Sequence, residues 1–112
     1  MAKKLYKPIL IDTIKAAEDL IQYRFVDFTG SICKTGVKAL GVCDVSTESQ
    51  QYAPVGVLGI FLVEAGDTIA VGNTVTSDNN GKAVPLSNSG SANGIALDSA
   101  LEGDIIRIVR GI

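Results

Sequence analysis

Lys82 is the residue on which covalent chemistry would have to fall. It stands in VEAGDTIAVGNTVTSDNNGKAV, residues 63–84, one place after a glycine, where apolar residues recur at every second or third position. A hairpin tip at that point would hold out a primary amine for acylation by a cofactor acid. Other chemistry-bearing residues are sparse. The chain has no histidine, which removes the commonest general base and the commonest zinc ligand together. Cys33 and Cys43 do not form a CxxC pair and suit small buried apolar positions, with a disulfide left open by their spacing. No serine or cysteine can borrow a histidine base, so the expectation is a protein that is not an enzyme, with no catalytic residue, no metal and no cofactor.

The order Gly66, Asp67, Ile69, Gly72, Val75, Lys82 is similar to that of lipoyl and biotinyl carrier domains, whose lysine is acylated at a hairpin tip. The neighbours depart from that pattern. Lys82 sits in Asn79-Asn80-Gly81-Lys82-Ala83, and the following AVPLSNSGSANG lacks the second Gly-Asp hairpin of such carriers. The competing reading makes Asp78 to Gly81 a turn and Lys82 the first residue of the returning strand. It is preferred, with a carrier modified on Lys82 as the alternative function. LDSA at 97–100 has the form of an aspartic protease signature, but Asp98 lies too near the end of the chain for a flap to follow, so a strand-ending turn is expected. NNGK lacks the first glycine and the final Ser or Thr of a phosphate loop, and SDNNG lacks the spaced carboxylates of a calcium loop.

The elements that would position these residues read as β. At 112 residues the chain is one domain, able to bury roughly two-thirds of its unfolded surface. Hydrophobic residues make up 46% but aromatics only 5%, so Val, Ile, Leu and Ala must fill the core. Short branched segments separated by turn signals (YRFVDF, VKALGVCDV, APVGVLGIFLVEA, DTIAV, NTVTS, KAVPL, NGIAL, DIIRIVRG) predict a mainly β fold, a small sandwich or barrel over residues 12–112. Residues 12–23, DTIKAAEDLIQY, either form a short helix capped by Asp12 with the stripe Ile14, Ala17, Ile21, or do not. Residues 1–11 read as an extended N-terminal arm, with Pro8 forcing Lys7 into extended backbone. Two internal echoes stand out: LGVCD (40–44) with NGIALD (93–98), and AGDTI (65–69) with EGDII (102–106). Gly-Asp followed by a β-branched residue is turn-then-strand chemistry.

Charge divides unevenly. Residues 1–38 hold seven Lys and Arg against four acids, and residues 39–112 hold three against eight. A basic arm facing an acidic partner fits that asymmetry. Nucleic acid is not expected, because the cations are few and no aromatic platform accompanies them. No run reaches membrane-spanning length and the N-terminus lacks a signal-peptide core, which points to synthesis in a cytoplasm.

Taken in order, YRFV, the segment from VKALGVCDV through NNGKAVPL, and NGIALDSALEGDIIRIV resemble the small capsid cement, or head decoration, proteins of tailed bacteriophages, over about residues 12–110. The resemblance implies a mainly β virion protein on the outer surface of an expanded capsid, made in the host cytoplasm. It implies binding to the major capsid protein, often as a homotrimer, and stabilisation of the shell against internal DNA pressure. It carries over no catalytic residues. MAKKLYKPIL has no counterpart in that pattern. The arm residues Lys3, Lys4, Leu5, Tyr6, Lys7, Pro8 and Ile9 are the candidate capsid contacts, their lysines meeting acidic groups and their backbone adding to a strand edge.

Overall fold

The computed structural model describes residues 7–87 and 90–111. Every regular element among them is a strand: β1 (Lys7–Lys15), β2 (Phe25–Val26), β3 (Gly41–Cys43), β4 (Tyr52–Glu64), β5 (Thr74–Ser77), β6 (Ala83–Pro85), β7 (Gly94–Ala96) and β8 (Ile105–Arg110). They form one sheet in the order β2, β3, β4, β8, β7, β5, β6, with β1 added beside β4. The two ends of this path meet. The Phe25 N–H donates to Gly81 O at 2.7 Å, and Ala65 at the end of β4 bridges Ala83 in β6. The result is a small, nearly closed β-barrel, as the branched segments and turn spacing predict.

The long strand β4 organises the barrel because its sequence alternates. Ala53, Val55, Val57, Phe61 and Val63 are buried on one phase. At Gly59 and Ile60 it is flanked by β1 on one side and β8 on the other, and at Val55 and Gly56 by β1 and β3. Gly59, at φ +119°, lets β1 come close: a Cβ there would strike Lys7 O and lie 2.8 Å from Ile9 N.

The register reveals two halves with matching strand pairing that share β4. In the first, Phe25 pairs with Val42 and Val26 with Gly41; in the second, Thr74 pairs with Ile95 and Val75 with Gly94. Val42 opposite Gly56 and Cys43 opposite Val55 correspond to Ile95 opposite Val109 and Ala96 opposite Ile108. Leu20 and Thr47 exchange two backbone hydrogen bonds (2.8 and 3.0 Å), as do Ile69 and Ala100 (2.9 and 2.8 Å). Lys15 opposite Tyr52 corresponds to Glu64 opposite Ile105. Two clusters of buried residues fill the barrel, and the second also takes in Cys33, Ala39 and Val42 of the first half. Ala16, Leu20, Val26, Cys43, Ala53 and Val55 form one, with Ile14 packed against it. Ala65, Ile69, Val75, Ala96, Ile106 and Ile108 take the same places in the other, which Phe25 and Phe61 enlarge.

Residues 12–23 form no helix. β1 runs on to Lys15, and the Ala16, Ala17 and Leu20 amides then donate to Gln51 O, Gly30 O and Thr47 O, partners distant in sequence. Those cross-chain bonds displace the local ones a helix needs. Asp12 caps nothing and accepts only from the adjacent Thr13 N–H at 2.9 Å. The burial phase changes accordingly: Ala16 and Leu20 are inside, while Ala17 and Ile21 of the expected stripe are exposed. The division expected after Ile11 falls inside β1. Cys33 and Cys43 are free, buried, and belong to different cores. Burial pushes both thiols above their ordinary range.

Candidate functional site

Of the seven candidate arm residues, Lys3, Lys4, Leu5 and Tyr6 lie outside the described residues. Lys7, Pro8 and Ile9 open β1, with Lys7 paired to Ile60 and Pro8 to Gly59 in the middle of β4. The register of β1 shifts on either side of Leu10, a bulge that twists the strand. β1 is unlike every other strand in having no fully buried residue: Ile9, Leu10 and Ile11 are 81%, 47% and 40% exposed. Among the described residues its outer edge pairs with nothing, so a row of backbone donors and acceptors and three consecutive apolar side chains face outward together.

Lys82 is held rather than presented. Asp78 Oδ1 accepts from the N–H groups of Asn80 (2.8 Å) and Lys82 (2.9 Å), closing the Asp78 to Gly81 turn with Gly81 at φ +77°. The Lys82 ammonium lies 3.3 Å from Glu64 Oε2, and the other oxygen of that carboxylate takes Arg24 Nε at 3.1 Å. An amine in an ion pair at the end of β4 is no swinging arm, and the carrier reading is not favoured. Asp98 ends its segment as a turn residue. It accepts the Arg107 N–H at 3.0 Å and pairs with the Arg107 guanidinium at 3.2 and 3.0 Å. That pairing holds the Arg107 guanidinium above its ordinary range. No cluster of metal-ligating side chains occurs among the described residues.

One cationic site was not singled out from sequence. In β8, Ile106, Ile108 and Arg110 share the buried phase, and Arg110 is only 3% exposed. Its Nη2 donates to Ala39 O at 3.1 Å, while Nε and Nη1 have no partner among the described residues. Asn93, also buried, locks the surrounding loop: its Oδ1 accepts the Ala39 N–H and its Nδ2 donates to Val37 O, both at 2.9 Å. Lys38 completes the region by donating from Nζ to Ala92 O at 2.7 Å. Arg110, Lys38, Ala92, Gly94, Ile95 and Val109 line a cleft of about 400 Å³. Burial pushes the Arg110 guanidinium down to about 10. Lys38 is lowered by burial and by the like charge of Arg110. The signal was legible as an arginine standing in the apolar phase of IIRIVR.

The barrel thus carries one outlying strand with an exposed apolar run. The family model of the phage cement proteins matches residues 7–111, from the first residue of β1 to the glycine after β8. The chain belongs to that family, and is thereby a structural protein of phage capsids. The head fiber gp8.5 N base of bacteriophage phi29 has a similar solved structure, with a TM-score of 0.76 over 91% of this chain and 93% of that one. At 22% identity this likeness establishes a shared fold. No curated protein sequence matches the chain.

Proposed function

We propose that this protein decorates the outer surface of an expanded phage head, binds the major capsid protein there as a homotrimer, and stabilises the shell without catalysing a reaction. The observation that carries the proposal is β1. Its open hydrogen-bonding edge and its exposed Ile9, Leu10 and Ile11 offer a strand for β-augmentation together with an apolar stripe to bury. The segment Lys3, Lys4, Leu5, Tyr6, Lys7, Pro8 and Ile9 leads into that edge, and its lysines suit an acidic capsid surface.

The test is sedimentation of the purified protein with expanded, undecorated heads, alongside an Ile9→Lys, Ile11→Lys double variant. Wild type should bind saturably at a fixed ratio to the major capsid subunit. Because both side chains are already exposed, the variant should keep its circular dichroism and its melting temperature. Burying an isoleucine contributes about 1.5–3 kcal/mol, so its binding should weaken by at least about tenfold. Failure of the wild type to bind refutes the function, and equal binding by the variant refutes the role of β1.

A further inference from the structure

The cleft at the end of β8 contains a charge that the fold does not require. Cys43 pairs with Val55 and Ala96 with Ile108 at corresponding places in the two halves, so the residue two positions on is Val57 in one and Arg110 in the other. Val57 is 6% exposed and apolar. The same backbone position therefore serves the first half as an ordinary core site, and the second half puts a guanidinium there. A buried cation costs stability unless it is paired. Among the described residues no carboxylate pairs with Arg110 or with Lys38, since the ion pairs there join Arg24 and Lys82 to Glu64 and Arg107 to Asp98. Among the described residues the N–H groups on Nε and Nη1 have no acceptor, and the Lys38 ammonium meets only a neutral carbonyl.

We propose that this cleft is a carboxylate-binding site, in which the acidic side chain of an aspartate or glutamate from another polypeptide is held between Lys38 at the mouth and Arg110 at the floor. Lys38 exchanges the Ala92 carbonyl for the carboxylate, a charged acceptor that makes a hydrogen bond roughly twice as strong. Arg110 supplies a second positive charge from a poorly solvated position, where charge acts strongly over a few ångströms. The apolar walls at Ala92, Ile95 and Val109 suit the methylene stem of an acidic side chain. The site stands independently of capsid binding, because the geometry selects a chemical group and not a named partner.

The test reads Arg110 directly. The arginine Nε–H resonances of the whole, nitrogen-15-labelled protein are followed while N-acetylglutamate α-amide, acetate or inorganic phosphate is added at constant ionic strength. The expected result is a saturable shift of the Arg110 Nε–H with both carboxylates. Loss of one charge-assisted hydrogen bond in Lys38→Met, a substitution at the cleft rim, should weaken binding about tenfold. Arg110→Met, followed through the Lys38 signals, should abolish saturation. No shift with either carboxylate, a shift with phosphate alone, or unchanged binding in Lys38→Met overturns the proposal. The source of the acid is read by sedimentation. Self-association lost in Lys38→Met assigns it to a second copy of this chain, and head binding weakened in the same variant assigns it to the capsid. If neither assay responds, the assignment to a protein side chain is overturned.

Discussion

Gln50 and Gly103 occupy the same place in the two halves of the barrel and permit a test of the duplication by exchange. The Gln50 N–H donates to Ala16 O at 2.7 Å, and the Gly103 N–H donates to Ala65 O at 2.8 Å. Both have left-handed backbone, φ +73° and φ +93°. A Cβ on Gly103 would meet nothing within 4 Å, so Gly103→Ala changes conformational energy and nothing else. Left-handed backbone costs an L residue about 1–2 kcal/mol. The reduced freedom of the unfolded chain returns about 0.4–1 kcal/mol. Gly103→Ala should therefore destabilise by about 1 kcal/mol. Gln50→Gly runs the other way: relief of the same strain, less the roughly 0.5–1 kcal/mol of glycine entropy, leaves it neutral to about 1 kcal/mol more stable. The assay is urea denaturation with the m-value checked for constancy. A Gly103→Ala variant indistinguishable from wild type, or a Gln50→Gly variant less stable by more than about 0.5 kcal/mol, would refute the equivalence of the two turns.

Gly41→Ala should be among the most damaging single-methyl additions. Its Cβ would strike the Gly56 carbonyl and come within 2.8 Å of Val55 Cγ1, so β3 must lift from β4, at a cost of about 3 kcal/mol in a denaturant melt. Arg110→Met should stabilise the protein at neutral pH. Because burial lowers the guanidinium to about 10, the folded chain holds that proton less tightly than the unfolded chain. The resulting penalty is present in full below pH 10 and is relieved as pH rises from about 10 toward the ordinary arginine range. After allowance for the lost bond to Ala39 O, the variant should gain about 1–3 kcal/mol at pH 7, and the gain should shrink above pH 10. A constant difference across that window would count against a charged, unpaired Arg110.

Alternation carried the sequence reading far where one face is buried and the other is not. It placed β4 and β8, while turn chemistry placed the Asp78 turn with Lys82 following it and the turn at Asp98. It failed at residues 12–23, because the hydrogen bonds that hold Ala16 and Leu20 come from Gln51 and Thr47, and no local pattern announces partners that distant. The duplication was half visible. LGVCD and NGIAL are true equivalents, since Val42 and Ile95 have matching partners. AGDTI and EGDII are not: Ala65 to Ile69 correspond to Ala16 to Leu20, whereas the Glu102 to Ile106 segment corresponds to the one entering β4 at Tyr52. Their likeness is shared turn chemistry. Elsewhere the halves keep shape without identity, with Leu20 for Ile69, Cys43 for Ala96 and Tyr23 for Gly72. A backbone register tolerates such exchanges, and a comparison of letters does not reveal them. Of the outward-facing surface, the apolar run of β1 was readable, but the cleft beneath Lys38 required knowing that Arg110 points inward.

The pairing of Lys7 with Ile60 and of Arg110 with Gly59 brings the beginning of β1 and the end of β8 to opposite sides of the middle of β4, about 10 Å apart across two strand spacings. The barrel is consequently anisotropic under load. Tension that draws those two ends apart acts across the ladders and opens them like a zip, one hydrogen bond after another. Tension along β1 acts in shear and engages its whole ladder to β4 at once. A shell gripping β1 lengthwise would pull against the strong direction of the molecule, and one levering at its first residues would peel the strand away.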